Sequence, residues 1–359
     1  ALNLAIYLQL SILERATGDR DAAIDYARRY QEERPEEADS HIVLGDLLRD
    51  TGQLEVAEEH YLQASMLDDE PVVALLRMAE IAARRGEVSQ ARGLIEQADE
   101  AARTPLNMAV VRQAAVALES RLGRMRAAVE QSYRTEEYLL QSLPPFQVAL
   151  SVYLPIANLH TELGETELAR AAVDKANDMI QPPLNQFLAF PIAAILAREG
   201  DFEAAEEELQ RGIEVIERFK LEDLWAQVDI TQGGIHMSAG RYAEAVDASN
   251  SGRQRVERSV VAGNDAFILL PGLDAMAAMA MVHAGRVDEA AAVIDRGFDL
   301  DPTNPMLWLA RARQQQASGQ PELALASVNY ALAIWKDADP EHRYFILASD
   351  LATELGQAL

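Results

Sequence analysis

Between residues 43 and 62, apolar side chains fall at three- and four-residue spacing: Val43, Leu44, Leu47 and Leu48, then Leu54, Val56, Tyr61 and Leu62. That spacing puts them on one face of a helix with 3.6 residues per turn. Gly52 interrupts the pattern, and Ala57 follows five positions later. The pattern predicts two antiparallel helices. A helix ends cheaply on a glycine in the left-handed conformation, which satisfies its last carbonyls and turns the chain back. Just past that turn the second helix crosses the first, and a small side chain lets the two backbones approach.

The same pair recurs along the whole chain: Gly18 with Ala23, Gly52 with Ala57, Gly86 with Ala91, Gly123 with Ala128, Gly164 with Ala169, Gly200 with Ala205, Gly240 with Ala245, Gly285 with Ala290 and Gly319 with Ala324. Successive glycines lie 34 to 45 residues apart. An internal period of this length outranks any local reading. Seven residues before each glycine the side chain is again small, as in Ser11, Gly45, Ala79, Ala157, Ala193, Gly233, Ala278 and Ala312. Val116 departs from this, so the fourth pair is expected to pack less tightly or to shift.

These landmarks divide the chain into nine units, near residues 2–35, 38–71, 72–105, 106–144, 145–183, 184–221, 222–263, 266–304 and 305–340, with a closing helix at 341–359. Prolines and acidic turn residues end many units, among them Pro35, Pro71, Pro105 and Pro302. The middle units are longer, and Pro155 and Pro191 fall in their first helices, where each starts or bends the helix. Residues 249–265, SNSGRQRVERSVVAGND, read as a lengthened second helix or a loop carrying three arginines. No stretch reads as a strand.

Composition narrows the chemistry. The formal net charge of -26 disfavours polyanion partners, because nucleic-acid binding depends on Lys and Arg displacing counterions. With no cysteine there are no disulfides, thiolate metal sites or cysteine nucleophiles. The longest apolar run, near Ala266 to Val282, contains Pro271 and Asp274 and falls short of the roughly 20 residues a membrane helix needs. No metal or other cofactor is expected: the six histidines are scattered without a ligand pair, and no phosphate-cradling glycine loop occurs. His236 to Gly240 approximates a nucleophile elbow, but that motif needs a preceding strand, and Gly240 already belongs to the repeat. The chain opens at Ala1 directly in a helical pattern, which reads as a piece of something longer. The expected compartment is the cytoplasm, with the periplasm as alternative.

The unit resembles the tetratricopeptide repeat. The second unit carries the likeness through Leu44, Gly45, Gly52, Ala57, Tyr61 and Ala64, the eighth through Ala278, Gly285, Ala290 and Pro302, and the ninth through Trp308, Ala312, Gly319, Ala324 and Ala331. The resemblance implies an all-α fold, a right-handed α-α superhelical solenoid of about nine helix-turn-helix repeats with a C-terminal capping helix. It implies a non-catalytic scaffold that binds a peptide, helix or partner domain in a concave groove lined by the first helices. Lysine and asparagine form the carboxylate clamp of chaperone-binding members, and the equivalents here, such as Ile42 and Leu76, are apolar, so that partner class is disfavoured.

Mapped by position, groove candidates are Arg49, Arg84 and Arg121 in the first half, then Asn158, Phe187, Phe190, Arg198, Met237, Met276 and Met279. A line of arginines would select an acidic peptide through bidentate pairs; the competing reading is that cations favour the last turn of a helix. A methionine surface repacks against varied apolar partners; the competing reading is that Met276 and Met279 are ordinary core. An alternative function is a sensory or regulatory segment of a larger signalling protein, a kinase, cyclase or transcription regulator, linked to an effector domain. Pentatricopeptide arrays share the period but read RNA and need a basic surface.

Overall fold

The computed structural model describes residues 2–258 and 263–358. All regular structure in them is helical. The first three pairs are α1 (Leu2–Thr17) with α2 (Arg20–Glu33), α3 (Ala38–Asp50) with α4 (Leu54–Leu67), and α5 (Val72–Arg84) with α6 (Val88–Ala101). Next come α7 (Pro105–Arg121), α8 (Met125–Arg134), α9 (Glu136–Ser142), α10 (Pro145–Val148), α11 (Leu154–Leu163) and α12 (Thr166–Met179). The remainder comprises α13 (Ala189–Glu199), α14 (Phe202–Phe219), α15 (Trp225–Ser238), α16 (Tyr242–Arg258), α17 (Gly263–His283), α18 (Val287–Leu300), α19 (Pro305–Ala317), α20 (Pro321–Ile334) and α21 (Arg343–Ala358).

Each repeat glycine has a positive φ, from 72° at Gly319 to 92° at Gly18. The turn at Gly52 shows why: the Gln53 amide donates to the Leu48 carbonyl at 2.9 Å, closing the end of α3, and the Ala57 amide donates to Gln53 at 3.0 Å, opening α4. All nine alanines five residues on are fully enclosed, at 0% exposure. Their Cβ atoms fill the closest approach within each pair, as the spacing predicts.

The middle of the chain deviates for identifiable reasons. The Ala149–Tyr153 segment is a π turn, and it contains Ser151, whose carbonyl the Pro155 ring would strike in a regular α-helix. Pro191 is the third residue of α13, where its missing amide costs little. In the fourth unit α8 stops at Arg134, yet Ala128 stays enclosed and Val116 packs beside it and Met125. The shift falls at the far end of α8, not at its crossing. Residues 249–258 continue α16, residues 263–265 open α17, and 259–262 lie outside the described residues. Of the three arginines there, Arg253 is buried against Asp274 at 2.6 Å.

By contacts the chain forms two compact units. The first holds Ala1–Ala114 with Gln254–Leu270 and Asp299–Thr303; the second holds Ala115–Arg253, Pro271–Phe298 and Asn304–Leu359. In the first, Ala23, Leu44, Leu48, Tyr61 and Ile81 form one core, and a Cβ on Gly45 would meet the Tyr61 ring at 2.7 Å. In the second, Ala348, Leu351 and Leu355 of α21 complete the core of α17 to α20, which is the covering role expected of the terminal helix.

The second unit closes on itself through residues more than 200 positions apart. The Trp335 indole N–H donates to the Arg121 carbonyl at 3.2 Å, and the Asp339 amide donates to the Gly123 carbonyl at 2.9 Å. The Asp339 carboxylate accepts from the Arg126 amide at 2.8 Å, capping the start of α8. His342 packs edge-on against Trp335, buried, and its Nδ1 has no hydrogen-bond partner among the described residues.

Burial, and then the Arg343 charge, hold the His342 imidazole down to about 4. A group whose folded pKa is depressed binds fewer protons folded than unfolded, so its stability contribution is complete above the unfolded value near 6.5 and drains away as pH falls toward 4. At pH 5 the loss amounts to about 2 kcal/mol. His342→Leu is expected to flatten the drop in tryptophan-detected stability between pH 7 and pH 5; denaturant titrations at the two pH values, wild type against variant, measure it.

Candidate functional site

Four helices of the second unit, α15, α17, α19 and α21, converge on a cavity of about 150 Å³. Three are the first helices of their pairs and the fourth is the capping helix, so the cavity belongs to the face that the repeat pattern assigns to binding. Helix α15 contributes Gly234, Met237 and Ser238; α17 contributes Met276, Met279 and His283; α19 contributes Leu309 and Arg313; α21 contributes Arg343, Tyr344 and Leu347. Close approach comes from Gly233, against which the Met276 methyl packs: a Cβ there would sit 2.9 Å from it.

The polar groups on this apolar floor are nearly all donors. Arg343 makes no hydrogen bond or ion pair among the described residues; its guanidinium lies 4.9 Å from the centre of the Tyr344 ring. Arg313 donates to the Gln316 side chain at 3.3 Å and reaches Glu354 only at 3.9 Å. His283 stacks on Tyr242 with ring centres 4.6 Å apart, and burial followed by the Arg313 charge lowers its pKa, so it is neutral at pH 7. Burial raises the Tyr344 phenol to about 12, with Glu162 adding to it, so the group keeps its proton. Glu162 is itself raised by burial, against the opposing pull of Arg343 and Arg198.

The structure sorts the sequence candidates into four groups. Met237, Met276 and Met279 meet at the cavity, Met279 only 7% exposed and the other two half-buried. Phe187 and Phe190 are elsewhere, in the core of α13 and α14, where the Phe190 ring fills the space left by Gly212. Asn158 and Arg198 are exposed, Arg198 donating to the Thr161 carbonyl at 3.3 Å.

The arginine line does not face a groove. Arg49, at 0% exposure, pairs with Asp50 at 3.0 Å, Glu80 at 3.1 Å and Asp46 at 3.4 Å. Burial opposes the Arg49 charge, but these carboxylates outweigh it and raise its pKa. Arg84, also buried, bonds Glu80 at 2.9 Å and the Leu300 carbonyl at 2.7 Å. Arg121 lies where the second unit closes, its carbonyl taken by Trp335. Arg49 and Arg84 serve internal structure, their guanidinium donors turned onto carboxylates and a carbonyl of the protein itself.

Sequence reasoning missed Arg313, Arg343, Tyr344 and His283. The available signal was the arginine at the start of the terminal helix, which a covering role alone does not require.

Family models described as tetratricopeptide repeat match residues 8–69 and 271–313. No curated protein matches the sequence. Among solved structures, a tetratricopeptide repeat protein from Parabacteroides merdae is 18% identical, with 79% of this chain and 98% of that one covered and a TM-score of 0.44. Yeast Tom70 is 12% identical, with coverages of 99% and 96% and a TM-score of 0.42. A Rap protein complexed with competence and sporulation factor is 13% identical, with coverages of 89% and 98% and a TM-score of 0.49. Among the described residues, no helix is long and apolar enough to cross a membrane. Nine left-handed turn glycines, each followed by an enclosed alanine, run along the chain, and two of its stretches, residues 8–69 and 271–313, match tetratricopeptide repeat models.

Proposed function

We propose that the chain is a protein-interaction module, non-catalytic, whose contact face is formed by α15, α17, α19 and α21. The observation that carries this reading is the meeting of Met237, Met276 and Met279 on one concave cavity with Arg343, which makes no ion pair among the described residues. Methionines have three rotatable bonds and a polarizable sulfur, so they follow the shape of an incoming apolar side chain. Around them, Leu347 is 39% exposed and extends the apolar surface outward. A partner presenting an apolar segment on a peptide or helix fits this face, in the helix-in-groove manner. The buried arginines of the first unit are excluded from this role by their internal pairs.

The test is affinity capture from a lysate of the source organism with wild type and with Met237→Glu and Leu347→Glu, each verified as folded by circular dichroism. Loss of a specifically captured protein with both variants supports the reading. Undiminished recovery contradicts it and moves contact to another face.

A further inference from the structure

The size and polarity of the cavity carry a reading beyond a partner surface. We propose that it is an effector site for a small monocarboxylic acid whose apolar body is about the size of one benzene ring. Three observations converge on it. At about 150 Å³ the space matches the cavity volume known to admit a single benzene molecule. Met237, Met276 and Leu309 give it an apolar floor. Arg343, which lacks any hydrogen bond or ion pair among the described residues, stands at its wall. A guanidinium there offers two parallel donors in the geometry a carboxylate accepts.

The neighbouring groups favour a single negative charge. Arg313 is the second cation, only partly engaged by Glu354 at 3.9 Å. His283 and Tyr344 are neutral donors at pH 7 and add no competing charge. The acids that act on these two cations are Glu354, which is 62% exposed on its side chain and held by Gln316 at 2.8 Å, and Glu162, whose ionisation burial opposes. The net charge of -26 acts weakly here, because charges beyond about 8 Å are screened at physiological salt. An apolar acid therefore replaces water on two cations while its body meets the methionines. An alcohol or amide of the same shape gains only the second part.

The experiment is calorimetric titration of the chain with hexanoate and benzoate, against hexanamide and benzamide as uncharged matches. The acids are expected to bind at least about tenfold more tightly than the amides, since a hydrogen bond to a charged partner is worth about 1.5–3 kcal/mol. Arg343→Gln is expected to remove that preference. Met276→Trp, which fills the cavity from its floor, is expected to abolish binding of acid and amide alike; near-ultraviolet circular dichroism confirms that each variant is folded. The proposal is overturned if acids and amides bind equally, if neither binds at about 10 mM, a concentration worth less than 3 kcal/mol, or if Arg343→Gln changes nothing. A leucine-ended peptide that binds far more tightly than either acid, and only with its free carboxyl end, also overturns it: the occupant is then a peptide terminus. The two readings fail separately: absence of acid binding while Met237→Glu and Leu347→Glu still abolish protein capture overturns this site alone, and acid binding by the wild type with undiminished capture by both variants overturns the partner face alone.

Discussion

Replacing Gly123 with alanine is expected to destabilise the second unit by about 3 kcal/mol, while the same change at Gly240 costs about 1. Both glycines are left-handed, with φ of 74° and 73°, so both substitutions incur the backbone penalty of about 1–2 kcal/mol that an L side chain meets there. The surroundings differ. A Cβ on Gly240 meets nothing within 4 Å, whereas on Gly123 it would lie 2.6 Å from the Ala338 Cβ, 3.1 Å from His342 Nδ1 and 3.1 Å from Trp335. The Ala338 Cβ is fixed to the backbone and has no rotamer to escape into, so the closure itself must move, at the about 1–3 kcal/mol typical of overpacking. Denaturant unfolding followed by tryptophan fluorescence measures both variants. Equal destabilisation would show that the Gly123 contact with the 335–342 segment does not form.

Arg49→Met is expected to lower the stability of the first unit by about 3 kcal/mol, the scale for breaking a buried ion network by removing one member. The loss comes from what remains. Asp46, Asp50 and Glu80 converge on the Arg49 guanidinium and keep their outer partners, Arg77 at 3.0 Å and the Tyr61 hydroxyl at 2.7 Å on Asp46, Arg84 on Glu80 at 2.9 Å and Arg15 on Asp50. Methionine preserves the apolar stem but leaves those carboxylates facing one another. Arg49→Lys is also expected to cost stability, since one ammonium cannot bridge three acids with the five-donor fork of arginine. All three tryptophans lie in the second unit, so far-ultraviolet circular dichroism is the readout for both variants. A loss below about 1 kcal/mol, the level of an exposed pair, would contradict the network.

The repeat was legible because its two markers do local work. A glycine that must be left-handed and an alanine that must be small are constrained within one helix pair, so each leaves a trace at fixed spacing. What the pattern left out depends on distant parts of the chain. The Trp335 bond to Arg121 joins residues 214 positions apart, and no periodicity encodes it. The arginine line had the correct helical positions and the wrong role, because Arg49 takes acids of its own helix and Glu80 of the next pair, and Arg84 takes Glu80 of its own helix, instead of a visitor's carboxylate. Phe190 falls at a groove position, yet Gly212 removes the side chain opposite it and lets the ring turn inward. The methionines were found by position. The cations beside them were not, since Arg343 reaches the cavity only because the terminal helix docks on the last pair.

The alanine after each turn lies between two helices, and the absence of native cysteine makes that placement directly measurable. Single cysteines placed at Ala57, Ala91, Ala205 and Ala324, all at 0% exposure, are compared with cysteines at Met66, Leu168 and Leu323, which are 52 to 67% exposed. The first set is expected to react with a soluble thiol reagent at least about a hundredfold more slowly, because labelling must wait for local opening worth several kcal/mol. Comparable rates in the two sets would place those alanines in solvent and contradict the stacked helix pairs.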